Sequence, residues 1–475
     1  MAKFILIILL LLILFFIYLL IRALRFLPPT AEPREDDGLA VDSERAVNHL
    51  REMIRCKTIS QPELRSEAEF ERFRALLPEF YPLLFSRGSV ERVEKTGVLI
   101  CLPGKKHDAP AVLMGHYDVV PADEKNWEKP PFDAVLEDGV LWGRGTLDMK
   151  NQLCCMLEAA ETLLERGFIP EEDIYFALSG EEEMMGPTAP AIRDLFKSRQ
   201  IKPAFVLDEG GDIVDGFFPG ADFPCAMIGI GEKGSANLHF VARGKGGHSS
   251  VPSKENPLVT LCSAMTRVSR YHFKQHPGQG LDAMVETMGR YCSLSTRLLL
   301  ANRKMLKPLY FRWLKKQGGM LEAASRTTFA LTMAKGASAG NVIPPEAEMF
   351  ANLRLLAGDT HGDVVKKMQT LVGPDIEVVP DRFAEACPES RMTQGYDRIK
   401  SAIEATWPEA VVSPYLMVAC TDSRHWREIC DNVYRFSGKQ VTGEEKATVH
   451  GNNERIRIEN TENAVKFFIC LLRQC

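Results

Sequence analysis

Several features that would assign this chain at once are missing. None of its twelve cysteines forms a C-x-x-C pair, so a cysteine zinc site has no support. No block of one charge is present. The 58 basic side chains stand against 63 acidic ones, a net charge of −5, which argues against nucleic acid as a partner. There is no internal repeat, and no low-complexity stretch beyond the first residues. With 45% apolar and 25% charged residues, the chain is not disordered, collagen-like or a polytopic membrane protein. Histidine is scarce, ten in 475 residues, so each one can be weighed. The length is roughly three times that of a typical ~150-residue domain, which implies two or three domains and a sizeable core.

The long hydrophobic run is at the start, MAKFILIILLLLILFFIYLLIRALRF. Phe4 to Ile21 carries 18 residues without a charge. That is about 27 Å of helix, enough to cross a bilayer core. Lys3 and Arg22 bracket the run, and Pro28-Pro29 stop the helix. The pattern predicts a single-pass transmembrane anchor over residues 4–24 and a solvated linker over 28–40. A cleaved signal peptide is the competing reading. It requires a shorter apolar region and a small-x-small cleavage site, and no good site follows. The flanking charges nearly balance, so the positive-inside count leaves orientation open.

Beyond residue 41 short apolar runs alternate with helical periodicity. Residues 111–115 (AVLMG), 173–179 (DIYFALS) and 204–207 (AFVL) read as buried strands. Residues 150–166 read as an amphipathic helix ended by Gly167, with Cys154 and Cys155 in its core face. The expectation is an α/β fold with a mostly parallel sheet flanked by helices. Residues 236–243 alternate, and the order from there is strand (236–243), helix (256–270), strands (327–336 and 346–356), helix (360–372) and strand (375–381). That is a ferredoxin-like β-α-β-β-α-β unit. A second domain over 233–382, with a helical insertion at 271–325, therefore interrupts a first domain of 41–232 and 383–475.

The chemistry-bearing residues cluster at strand ends. His116 and Asp118 follow the strand 111–115 and, at i and i+2, point the same way. The carboxyl ends of parallel strands are where open α/β sheets place their sites. Asp148 lies in GRGTLDMKN, where a helix N-cap is the ordinary role. Glu181, Glu182 and Glu183 follow the strand 173–179, where a solvated acidic loop is ordinary. Asp208 ends the strand 204–207 in VLDEGG, a turn signal. Singly, each ordinary role suffices. Together, four successive segments deliver imidazole and carboxylate to one edge, the donor set of a divalent-metal site.

The ordered motifs GHYDVVP, W, PPF, GRGTLDMK, EEExxG, DEGG, GKGGHSS and HGxNE run across nearly the whole chain after the apolar start. They resemble the co-catalytic zinc metallopeptidase family that includes carboxypeptidase S, aminoacylase, carboxypeptidase G and acetylornithine deacetylase. The carboxypeptidase S and N-fatty-acyl-amino-acid hydrolase branch is the most similar. The resemblance implies a dizinc exopeptidase-like fold with an inserted dimerisation or lid domain, and a homodimer. It implies two Zn2+ ions, although Co2+ or Mn2+ suits the same donors. His116 and Asp208 would bind one ion, Glu183 and His450 the other, and Asp148 would bridge them. Glu182 would be the general base, and Asp118 would orient His116. His248 would donate to the oxyanion, often across a dimer, Arg354 would bind a substrate carboxylate, and Asn341 would touch substrate. The triplet departs from the family's Asp-Glu-Glu at Glu181, and a one-residue slip would exchange Glu182 and Glu183. The implied activity is hydrolysis of an amide beside a free carboxylate, in a peptide or an N-acyl amino acid. A small-metabolite deacylase and a non-catalytic metal-stabilised binding protein are the rivals. External members of the family point the catalytic part to the extracytoplasmic side.

Overall fold

The computed structural model describes residues 1–29 and 40–475, so most of the expected 28–40 linker lies outside the described residues. The uncharged runs become the centre of a ten-stranded sheet. Glu172–Ser179, Lys106–His116, Phe205–Asp208 and Val433–Arg435 lie side by side and parallel there. Alternation sends side chains to both faces. Leu113, Phe176 and Leu207 pack with Leu153 and Leu157 of helix Lys150–Glu165 and Phe468 of helix Ile458–Leu472. Val112, Met114 and Val206 pack on the other face with Phe196 of helix Thr188–Ser198 and with Trp426. Cys154 and Cys155 are buried as core residues, and all twelve cysteines are free.

The sheet is mixed: five of its strand pairings are parallel, among them Val411–Met417 with Pro224–Glu232, and four are antiparallel. Ser89–Val93 and Gly97–Leu102 form a hairpin antiparallel to the centre. Pro224–Glu232 runs antiparallel to Ile213–Asp215 and to Val433–Arg435. Short connections reverse the chain between Ser89–Val93 and Gly97–Leu102 and between Ile213–Asp215 and Pro224–Glu232, whereas parallel neighbours need long crossovers.

A separate four-stranded sheet holds, in spatial order, Thr328–Lys335, Glu346–Leu355, Gly234–Arg243 and Ile376–Ala384, all antiparallel. Helices Pro257–Ser269 and His361–Val372 cover it through Leu261, Met265, Val364 and Met368. Its chain order is the strand-helix-strand-strand-helix-strand pattern read from the sequence. The intervening residues are helical, including Gln279–Met288, Leu294–Leu300 and Lys307–Gln317. They pack away from this second sheet. Leu281, Met284, Leu300 and Tyr310 share a core with Cys225, Met227, Tyr415 and Leu416 of the main sheet. Those main-sheet side chains form an apolar face that must be covered, and the insertion covers it.

Ala2–Arg25 is a helix. Among the described residues it is the one helix long and apolar enough to cross a membrane. Its first turns are exposed, while Leu19, Ala23 and the following Phe26 are buried.

Candidate metal centre

The site is assembled by sheet edges and one small ladder. Arg455–Arg457 pairs antiparallel with Val140–Trp142, Arg455 opposite Trp142. This brings the turn before Asp148 against the segment that carries His450. Glu454 then accepts from the backbone N–H groups of Gly145 (3.1 Å), Leu147 (2.7 Å) and Asp148 (3.2 Å). Arg144 donates to its other oxygen at 2.6 Å. Buried backbone donors need such partners, so Glu454 fixes the shape of the Asp148 turn.

Asp148 lies between two histidines. Its Oδ1 is 3.0 Å from His116 Nε2, and its Oδ2 is 2.9 Å from His450 Nε2. Glu183 Oε2 is 3.2 Å from the same His450 nitrogen. The Asp118 carboxylate accepts from the backbone N–H of Glu182 and of Glu183, both at 3.1 Å. One of its oxygens is also 3.4 Å from His116 Nδ1, which lies 3.1 Å from the Asp118 carbonyl oxygen. Asp118 thus positions both the acidic loop and the imidazole, leaving His116 Nε2 for the site. Glu181 faces elsewhere, to Arg65 at 3.1 Å and the Thr188 hydroxyl at 2.8 Å. The Glu182 side chain makes no hydrogen bond or ion pair among the described residues.

At the DEGG turn the structure brings Glu209, not Asp208, to His116. Glu209 Oε1 is 3.2 Å from His116 Nε2. Asp208 Oδ2 instead accepts from the backbone N–H of Ser423 at 2.9 Å. Neighbouring residues at a strand end point to opposite sides, so one position decides which carboxylate reaches the site. The sequence offered two adjacent acids and no parity to choose between them.

The donor set suits divalent metal. Atoms of His116, Glu182 and Glu209 lie within 4.8 Å of one another, as do atoms of His116, Asp148 and Glu183. Imidazole nitrogen with carboxylate oxygen is the donor chemistry of zinc and its neighbours. Glu183 Oε1 is buried without a partner. The electrostatics show a surplus of negative charge. Burial lifts Glu209 to about 8, with Asp148 adding to the effect. Burial also raises Glu182, helped by Asp422 and Glu209. His450 is raised to about 10 by its hydrogen bonds to Asp148 and Glu183. Burial opposes a charge on His116, yet Glu209, Asp118 and Asp148 outweigh it and hold the imidazole well above its usual range. A cation placed among these groups would relieve that imbalance.

Asp148, Glu182, Glu183, Glu209 and His450 line one cavity of about 340 Å³, whose lining also includes Met417, Val441 and Val449. Arg354 approaches through Cys420, which lines the same cavity. Its guanidinium donates to Cys420 Sγ at 3.6 Å and forms no ion pair among the described residues. His248 and Asn341 are not in the cavity lining. They sit together on a short exposed ladder, Gly247–His248 against Val342–Ile343, where Asn341 O accepts from Ser249 N at 3.0 Å. Sequence reasoning missed Glu209, Glu454 and Asp422. Asp422 is buried with both carboxylate oxygens unpartnered, and burial lifts it to about 7. Only the HGxNE motif hinted at Glu454, and nothing marked Asp422.

The fold and this site define a metallopeptidase-type hydrolase. Residues 112–474 match the model of peptidase family M20/M25/M40, and the chain belongs to that family. It is 33% identical over 458 residues to the N-fatty-acyl-amino acid synthase/hydrolase PM20D1 of Bos taurus, covering 94% of this chain and 91% of that protein. It is 32% identical over 418 residues to the probable carboxypeptidase S-like 2 of Dictyostelium discoideum, covering 86% and 80%. Among solved structures, the M20 family metallo-carboxypeptidase Sso-CP2 from Sulfolobus solfataricus shares the fold with a TM-score of 0.68 at 18% identity, over 90% of this chain and 98% of that one.

Proposed function

We propose that the protein is a membrane-tethered dizinc amidohydrolase that cleaves an amide beside a free carboxylate, with N-acyl amino acids as its preferred class. The observation that carries this reading is Asp148 held between His116 and His450, with Glu209 beside one and Glu183 beside the other. In this reading His116 and Glu209 would hold one ion and Glu183 and His450 the second, with Asp148 available to both. Two such ions supply Lewis acidity, which polarises a carbonyl and makes a water more acidic.

The chain's own groups do the rest. Glu182, unpaired and facing the cluster, takes the attacking water's proton and passes it to the departing amine nitrogen. Arg354 offers its planar fork to the substrate carboxylate. The apolar wall with Met417, Val441 and Val449 suits an acyl chain. His248 is exposed and outside the cavity, so in this reading it donates to the oxyanion from a second copy of the chain, with Asn341 beside it. The second sheet is then the dimerising unit.

The buried end of the first helix favours a retained anchor over a removed signal, because Leu19, Ala23 and Phe26 are seated in the fold. A panel of dipeptides, N-acetyl amino acids and N-fatty-acyl amino acids, given to zinc-loaded protein, tests the substrate class. Highest kcat/KM on N-fatty-acyl amino acids is expected. Preference for N-acetyl amino acids would instead support a small-metabolite deacylase.

A further inference from the structure

The end of the first helix meets the helical insertion through polar contacts as well as apolar ones. Arg22 donates to Asn302 Oδ1 at 2.9 Å and to the Ala301 carbonyl at 2.8 Å, while Asn302 Nδ2 donates to the Leu19 carbonyl at 3.0 Å. Arg290 donates to the Leu27 carbonyl at 3.1 Å and stands 5.0 Å from the Phe26 ring centroid. The insertion is therefore fixed to the point where the apolar helix ends. The exposed helical turns before Leu19 span roughly 25 Å at 1.5 Å per residue. A bilayer covering them places the insertion at the level of the lipid headgroups.

A cleft of about 410 Å³ opens at this junction. Its walls carry Arg22, Arg25, Arg290, Arg303 and Lys304 against a single carboxylate, Glu286. Glu286 is already engaged by Arg290 at 2.6 Å and by Arg303 at 3.1 Å. Arg25 and Lys304 are exposed and form no ion pair among the described residues. Lys307 extends the basic surface into the adjoining cleft. Beside these cations Leu294, Met305 and Leu309 are exposed on the insertion. Basic side chains interleaved with exposed apolar ones form a surface suited to a lipid interface.

We infer that this cleft binds the phosphate of an anionic phospholipid in the leaflet where the anchor ends, with Leu294, Met305 and Leu309 entering the same leaflet. The inference rests on the membrane reading of the first helix. It adds a consequence for that reading: the enzyme body is held at a fixed height, where amphiphilic substrates partition. Juxtamembrane cations recognise anionic headgroups by the same electrostatics.

The test uses the full chain in neutral detergent, with phosphatidylglycerol and phosphatidylcholine offered together and retained lipid read by native mass spectrometry. The expected result is selective retention of phosphatidylglycerol, falling about fivefold for each cation removed in K304A and in the K304A/K307A pair. Hydrolysis of a soluble substrate should be unchanged, since both lysines are exposed and outside the site. Equal retention of the two lipids, or undiminished selectivity in the pair, would overturn the inference. Selection of oleate over phosphatidylglycerol would overturn the phosphate assignment. Alkaline extraction of the full chain from membranes reads the anchor separately, so release there sinks the anchor reading without bearing on the lipid selectivity measured in detergent.

Discussion

At the scale of single residues, the DEGG turn gives the sharpest contrast. Glu209→Ala should lower bound metal to below two ions per chain, with little change in folding. Asp208→Ala should leave metal content nearly intact but remove the partner of the Ser423 N–H, costing about 1–3 kcal/mol. Metal analysis and thermal unfolding of both variants distinguish the two; equal metal loss would return the role to Asp208. Glu454→Ala should cost about 3–5 kcal/mol, because it leaves the buried Arg144 unpaired. The sequence made His116, Asp148, Glu183 and His450 legible because each stands in its own motif. It could not rank two adjacent acids, since that depends on which way one strand residue faces. It was silent on Asp422 because no spacing or neighbour distinguishes that residue.

At the scale of elements, the strands and helices of the second sheet were readable because their periodicities of 2 and 3.6 were clean. The attachment of the insertion was not, since periodicity says that a helix has an apolar face and not what that face covers. The junction gives a prediction. Phe26 belongs to the core that the insertion forms with the main sheet. Removing residues 1–18 should leave that seat intact, whereas removing 1–30 should uncover it at a cost of about 1.5–3 kcal/mol for the Phe26 side chain. Thermal unfolding of the two truncated chains checks this; identical midpoints would contradict the packing.

Lys233, at the start of the second sheet, supplies another. Its ammonium donates to the carbonyls of Ala323 (2.9 Å) and Arg326 (2.8 Å) and to the Thr328 hydroxyl (3.1 Å). Burial, then Arg354 and Arg326, lower its pKa from 10.5 to about 7. Between those values the unfolded chain binds more protons than the folded one, so this group makes stability rise as pH rises from about 7 towards 10.5. Lys233→Met should show a smaller rise of stability over that window, read from denaturant midpoints at stepped pH.

At the scale of the whole molecule, His248 and Asn341 lie outside the cavity that Asp148, Glu182, Glu183, Glu209 and His450 line. If a second copy supplies His248, mixing two inactive variants restores activity. A chain carrying Glu182→Gln paired with one carrying His248→Ala leaves one site with both native residues. The mixed dimer should recover a substantial part of wild-type turnover, and none should appear if His248 acts within its own chain.

The central claim is that paired metals and Glu182 together hydrolyse the amide. Titrating metal-free protein with Zn2+ while following hydrolysis of an N-fatty-acyl amino acid tests it most directly. The account predicts that activity rises to a plateau at two equivalents, and that Glu182→Gln binds the same two equivalents while turning over at least ~100-fold more slowly. Full activity in Glu182→Gln, or in the metal-free chain, would contradict it.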